Sequence, residues 1–386
     1  MRILHTGDWH VGRTLHRRQR LDEAREVLAE VIEITERQAV DLVLVCGDVF
    51  EHYAPSAEAE QIVYRTLLAL RRTGSDVVVI AGNHDNARRL AAVEEVFGAT
   101  GVRLVPDVRR PDAGGVIELQ ARSGERAQVA CLPWIPERLL FGADEMMGLQ
   151  PEPYQAYAEH IPRVINALCR PLDPAAVTLL AGHLFISGSR LGGGERELTT
   201  GQIFAVSPAS LPTTVQYIAL GHVHRPQEVP GAATPARYAG SLLQLDFGEA
   251  AQDKSVTIVD AEAGRPVRTR EIALTRGRRL EELTGTLEEL ETMSADCGDA
   301  WLRVTLRCDG PQPGLADRVR EILPNALEVR LDYERQDPER RAQELRRLTP
   351  HQLFERYYRE AHGTVPAEPV AKLFDELYEE VTGAAA

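Results

Sequence analysis

Five apolar, strand-like runs in this chain stop at a glycine-bearing turn and then present side chains of metal-ligand type. Arg2 to His5 leads into Thr6-Gly7-Asp8-Trp9-His10, and Leu42 to Val45 into Cys46-Gly47-Asp48. Val77 to Ala81 leads into Gly82-Asn83-His84-Asp85. Val177 to Ala181 closes in Gly182-His183, and Val215 to Leu220 in Gly221-His222-Val223-His224. In open α/β sheets, ligands bind beyond the carboxyl ends of the strands. Any one of these turns, alone, is ordinary loop chemistry. Their recurrence, each directly after a strand, requires a fold that gathers several strand ends at one place.

The intervening segments supply that fold. From Leu21 to Ala39, apolar residues Leu21, Ala24, Val27, Leu28, Val31 and Ile34 recur at three- and four-residue spacing, which predicts an amphipathic helix. Pro55-Ser56 opens a second helix through about Arg72, with Ser56 as its cap, and Asn86 to Phe97 reads as a third. The order β-α-β-α-β-α implies parallel strands with helices on the sheet faces, an α/β fold. Val102 to Val105, Val116 to Leu119 and Val129 to Leu132 are further short strands, and Pro151 to Leu168 holds another helix. Tyr238 to Phe247 and Val256 to Ile272 read as antiparallel strands that finish the first domain. Val11 to Arg20 reads as a loop, with Arg13, His16, Arg17, Arg18 and Arg20 suited either to phosphates or to surface ion pairs.

Near Thr275 to Arg279 the composition turns charged and helical, which marks a boundary. Trp301 to Cys308, Leu315 to Leu323 and Ala326 to Leu331 outline a small α+β unit, followed by a charge-rich linker, Asp332 to Arg347. Two apolar-faced helices, Pro350 to Ala361 and Ala367 to Val381, remain; they have no core of their own and suit docking on the protein or on a partner. The expected division is residues 1–275, 276–335 and 336–386.

Composition narrows the function classes. No apolar run approaches the roughly 18 residues of a membrane span. The five cysteines are dispersed, which suits a reduced cytoplasmic setting. A net charge of −14 argues against non-specific attraction of the whole surface to nucleic acid, so contact with DNA must come from the site or from a partner.

Carboxylates, imidazoles and an amide oxygen without thiolate favour Mn²⁺, Fe or Zn²⁺ in an open site rather than a closed structural zinc. Asp8-x-His10 and His222-x-His224 place alternate side chains on the same side of an extended backbone. A carboxylate shared by two cations would clamp a phosphate and lower the pKa of a bound water. That is phosphoester hydrolysis.

These motifs resemble the five motifs of the calcineurin-like metallophosphoesterases. Downstream, Gly193 to Leu198, Gly221 to Gln227, Tyr238 to Ser241 and Phe247-Gly248-Glu249 look like the SbcD family of nuclease subunits. The resemblance covers residues 1 to about 275; beyond that it rests on layout, a small α+β capping domain and a C-terminal helical pair. It implies an α/β (α+β sandwich) core and two divalent ions, Mn²⁺ first and Mg²⁺, Fe or Zn²⁺ as alternatives. Asp8, His10, Asp48 and His224 would hold the first ion and Asp48, Asn83, His183 and His222 the second, with Asp48 bridging. His84 would stay off the metals and act on phosphate, with Asp85 as its orienting neighbour. Glu51 stands where bacterial relatives often carry Asp, and either Glu51 or His52 would support His84. The implied activity is 3′–5′ exonuclease on duplex DNA and endonuclease on single strands and hairpins. The implied partners are an SbcC-like ATPase on the terminal helices and a second copy of this chain, for which helix Ser56 to Arg72 is one candidate contact. A stand-alone phosphoesterase of nucleotides or other small esters fits the core motifs equally well but leaves the terminal helices unexplained. Trp134 reads as core, and the glycine-rich loop 187–201 either orders on DNA or is simply mobile.

Overall fold

The computed structural model describes residues 1–139, 142, 146–148, 157–195, 204–333 and 348–383. β1 (Arg2–Thr6) is followed by a small hairpin, β2 (Thr14–Leu15) and β3 (Arg18–Gln19), within the stretch expected to be loop. Then come α1 (Leu21–Arg37), β4 (Leu42–Cys46), α2 (Ala57–Arg72), β5 (Asp76–Ile80), α3 (Ala87–Thr100) and β6 (Val102–Val105). Caps fix two helix starts: Ser56 accepts from Ala59 N and Asn86 from Arg89 N. β7 (Val116–Gln120), β8 (Arg126–Leu132), α4 (Tyr157–Cys169), β9 (Val177–His183), β10 (Tyr217–Gly221), β11 (Gln227–Glu228) and β12 (Ala236–Tyr238) follow. β13 (Ser255–Asp260) and β14 (Arg268–Ala273) complete the two main sheets.

One six-stranded sheet runs β14-β13-β1-β4-β5-β6 and the other β11-β12-β10-β9-β8-β7. They face each other across a buried apolar layer in which Ile3, Leu44 and Ile80 join Val129, Leu179 and Ala219. Helices α1 to α3 cover the outer face of the first sheet, and α4 that of the second. Each such aliphatic side chain contributes about 1.5–3 kcal/mol through burial, so the layer strongly resists slippage. Register is what matters for the site. Cys46 pairs with Ile80 in the first sheet and His183 with Gly221 in the second, so the turns after these strands emerge side by side.

Two strand expectations need correction. Tyr238 to Phe247 is not one strand: β12 ends at Tyr238, and the buried Ser241 and Gln244 side chains then bond main-chain oxygens of the following turns. Val256 to Ile272 is a hairpin, β13 and β14, paired Ser255 to Ala273 through Asp260 to Arg268.

The carboxyl-terminal third contains a strand that periodicity does not reveal, β15 (Leu280–Gly285). α5 (Leu287–Met293), β16 (Trp301–Arg307), α6 (Leu315–Ile322) and β17 (Ala326–Asp332) follow. The parallel sheet β15-β16-β17 encloses its own core of Leu290, Leu302, Val304, Leu306, Val319 and Leu323. Leu15, Phe247 and Leu280 join it to the sandwich, and Trp301 Nε1 donates to Glu23 Oε1 at 3.0 Å. The linker expected over 332–347 lies mostly outside the described residues. α7 (Pro350–His362) and α8 (Glu368–Gly383) pair through Phe354 and Phe374, stacked at 4.2 Å, while Tyr357, Leu373 and Leu377 stay exposed. Among the described residues no helix is long and apolar enough to cross a membrane.

The close approach of the sheets makes one position intolerant of any side chain. A Cβ on Gly221 would sit 1.9 Å from the Cys46 carbonyl oxygen, and backbone cannot rotate away. Gly221→Ala is expected to lose about 1–3 kcal/mol of unfolding free energy by overpacking. Chemical denaturation measures it, and unchanged stability would mean the two strand ends are not held this close.

Candidate metal centre

The turns at the strand ends are bound to one another by main chain. Asp8 N donates to Gly47 O and His10 N to Asp48 O, each at 3.0 Å. Asp85 fastens the third turn to the second: its carboxylate accepts from Gly82 N at 2.9 Å, Phe50 N at 3.0 Å and Val49 N at 3.3 Å. Asp85 is expected from sequence to orient His84; its observed bonds instead shape the backbone of both turns. Asp8, His10, Asp48 and His222 have φ of 49°, 46°, 50° and 102°, left-handed values for residues with a Cβ. Such conformations cost about 1–3 kcal/mol each and collect where function requires them. Here they aim four polar side chains at one point.

The seven side chains expected as ligands are brought together and buried. Asp8, His10 and His224 form one group of ligand atoms within 4.8 Å of one another, and Asp8, Asp48 and His183 another. Asn83 Oδ1 stands 2.9 Å from His183 Nε2 and 2.8 Å from His222 Nδ1. Asp48 lies between the two sets, with Oδ2 3.7 Å from His10 Nε2 and 3.4 Å from His183 Nε2. Its Oδ1 accepts from His84 N at 2.7 Å. A Cβ on Gly82 would fall 2.1 Å from that Oδ1, so only glycine admits the carboxylate here.

The imidazoles are oriented from behind. Nδ1 of His10 lies 2.9 Å from Glu51 Oε2, Nδ1 of His183 2.8 Å from Cys46 O, and Nδ1 of His224 3.2 Å from Glu249 Oε1. Each of these oxygens accepts a hydrogen bond from Nδ1–H, which turns Nε2 inward in each ring, its lone pair free for a cation once the Nε2 proton is displaced. His10 Nε2 and His224 Nε2 then face each other at 3.1 Å, close enough for both to ligate one cation. Burial raises the Asp8 carboxyl above the ordinary range. Burial would do the same to Asp48, but the His183, His84 and His10 imidazoles hold it well below. Burial would lower His183, yet the Asp48 charge outweighs this and raises it to about 9. Buried carboxylates that draw protons onto neighbouring imidazoles are the donor set that a divalent ion satisfies, so the residues fit the metal chemistry expected of them.

The supporting residues fall differently. His84 Nδ1 donates to the main-chain oxygen of Glu51 at 2.8 Å and lies 3.8 Å from its Oε2, while the Glu51 carboxylate bonds His10 and Arg13 more closely, each at 2.9 Å. His84 also comes within ligand distance of His10 and Asp48, so proximity alone does not keep it off a metal. His52 is exposed. Of the basic loop, Arg13 pairs with Glu51, Arg20 with Glu23, and His16 approaches Glu328, while Arg17 and Arg18 are exposed. Trp134 is half-buried rather than core, and stacks on His222 at 5.4 Å between ring centres. In the glycine-rich loop Glu195 accepts from His224 N at 2.9 Å; Arg196 to Gly201 lie outside the described residues. Glu249 and Lys254 are site residues that sequence reasoning misses, and the sole sequence signal for either is the Phe247-Gly248-Glu249 motif.

A two-sheet α/β sandwich whose parallel strand ends bring Asp, His and Asn to one buried point defines a metal-dependent phosphoesterase. Residues 1–226 match the family described as calcineurin-like phosphoesterase, whose chemistry uses divalent metals, and residues 276–362 match the SbcD C-terminal family, described as Type 5 capsule protein repressor C-terminal domain. The chain is 33% identical to the SbcD subunit of the SbcCD nuclease of Bacillus subtilis, covering 98% of this chain and 97% of that one. It is 32% identical to the Rhodobacter capsulatus protein of the same name, over 92% and 93%, and 28% identical to that of Escherichia coli K12, over 80% and 78%. The chain belongs to the SbcD family of calcineurin-like phosphoesterases.

Proposed function

We propose that this chain is the nuclease subunit of an SbcCD-type complex, a metal-dependent phosphodiesterase that cuts DNA in end processing, repair and recombination. The observation that carries the reading is Asp48 facing two histidines of separate ligand groups at 3.7 and 3.4 Å. Asp8, His10, Asp48 and His224 would hold one divalent cation, and Asp48, Asn83, His183 and His222 the other, with Mn²⁺ the first choice for these donors. Bound there, the cations would neutralise phosphate charge and make water a nucleophile at neutral pH. His84, anchored through Nδ1 to Glu51 O, works through Nε2: it donates a proton to the leaving oxygen as the ester P–O bond breaks and the bond from water forms.

The predicted substrates are duplex ends, cut 3′–5′, and single strands and hairpins, cut internally, in the cytoplasm. The three-stranded unit, within residues 276–335, would cap the site, and the nuclease domain would pair with a second copy, giving a heterotetramer with two SbcC-like chains. The exposed Tyr357, Leu373 and Leu377 of α7 and α8 support docking of the SbcC-like ATPase.

A Mn²⁺-supplemented assay offering linear duplex, hairpin, single-stranded DNA and a generic phosphodiester tests the activity; chelation should abolish cleavage and Mn²⁺ restore it. Cleavage of the generic ester alone would transfer the reading to a small-ester phosphoesterase. Deleting residues 348–386 is expected to abolish co-purification with an SbcC homologue while sparing Mn²⁺-dependent cleavage of single strands. Undiminished co-purification would reject the helices as the docking site.

A further inference from the structure

His10 and His224 meet Nε2 to Nε2 across 3.1 Å, and behind each ring stands the same order of groups. Glu51 places Oε2 2.9 Å from His10 Nδ1, and its Oε1 accepts from Arg13 Nη1 at 2.9 Å. Glu249 places Oε1 3.2 Å from His224 Nδ1, and its Oε2 accepts from Lys254 Nζ at 2.7 Å. Cation, carboxylate and imidazole thus recur twice, from distant parts of the chain, around one point. At the second position His183 rests against a neutral acceptor, the Cys46 carbonyl at 2.8 Å, and Asn83 contributes a neutral amide whose Oδ1 stands 2.8 Å from His222 Nδ1.

The difference has an energetic consequence. A carboxylate behind an imidazole fixes the ring and makes it a stronger donor than a carbonyl behind it does, and this holds with Arg13 or Lys254 paired to the far oxygen. Neither glutamate is free to swing away. Glu249 is fully buried and also accepts from Leu245 N at 3.0 Å, while Lys254 Nζ donates further to His224 O and Ser241 Oγ, each at 2.9 Å. Glu51 is clamped between His10 and the half-exposed Arg13.

We propose that Glu51 and Glu249 are positioning residues that make the Asp8–His10–His224 position the tighter of the two cation positions, so that it fills first. This rests on the two-cation reading above, and its test separates the two claims. The metal-free full chain is titrated with Mn²⁺ by calorimetry, with electron paramagnetic resonance read at one and two equivalents. Two classes of site are expected, about tenfold or more apart, with an isolated-ion spectrum at one equivalent and a spin-coupled one at two. Glu51→Gln and Glu249→Gln are each expected to weaken the tight class about 10–100-fold and to leave the weak class in place. Because Glu249→Gln leaves Lys254 buried without its carboxylate, Glu249→Gln/Lys254→Met is measured beside it and is expected to show the same loss at the wild-type melting temperature of the metal-free protein. Equal weakening of both classes, or no weakening in folded variants, would overturn the proposal while the two-cation reading stands. Uptake of fewer than two cations by the wild type would overturn both.

Discussion

His84→Ala is expected to lower kcat for phosphodiester cleavage by about 10²–10⁴-fold, the contribution of a positioned general acid, with two Mn²⁺ still bound. The expectation separates two things that His84 does. Its main-chain N–H donates to Asp48 Oδ1 at 2.7 Å, and alanine keeps that bond, so the carboxylate between the two ligand groups stays where it is. Its ring is tethered through Nδ1 to the Glu51 carbonyl at 2.8 Å and stands edge-on to His10 at 4.6 Å between ring centres. Only the ring's chemistry is removed by the substitution. Turnover of DNA and the Mn²⁺ stoichiometry of the same preparation are the two measurements. Loss of one equivalent of Mn²⁺ would make His84 a ligand instead, as its nearness to His10 and Asp48 allows.

What sequence reveals and what it hides follow one physical division. The seven candidate ligands stand directly after strands, and parallel pairing puts such positions at one edge, so an apolar run, a glycine and an Asp, Asn or His are enough to find them. Glu249 lies 25 residues from His224 and reaches it only because β12 stops at Tyr238 and the chain folds back through buried turns. No spacing rule encodes that return. Asp85 is legible as polar and adjacent to His84, but its bonds are to main-chain N–H groups of two turns, a role set by tertiary geometry. β15 escapes notice because Leu280 and Leu283 carry helical spacing; as an edge strand it owes its form to β16, its parallel partner. Trp134 reads as core because tryptophan is apolar, and its stacking on His222 depends on a long-range approach between β8 and β10 segments.

Asp48→Asn discriminates among the residues around the cations. The substitution keeps an oxygen to accept from His84 N, and Gly82 still leaves room, so the turn should retain its shape. What changes is charge at Oδ2, the atom that faces His10 Nε2 at 3.7 Å and His183 Nε2 at 3.4 Å. Both classes of Mn²⁺ site are therefore expected to weaken together, each by more than the about 10–100-fold that loss of an outer partner costs, and DNA cleavage is expected to fall to background. The calorimetric pattern is distinct from that of the other variants: His84→Ala spares both classes, Glu249→Gln weakens one, and Asp48→Asn weakens both. Loss of a single class in Asp48→Asn would place the carboxylate on one cation only, and the two ligand groups would then have to be joined by another residue.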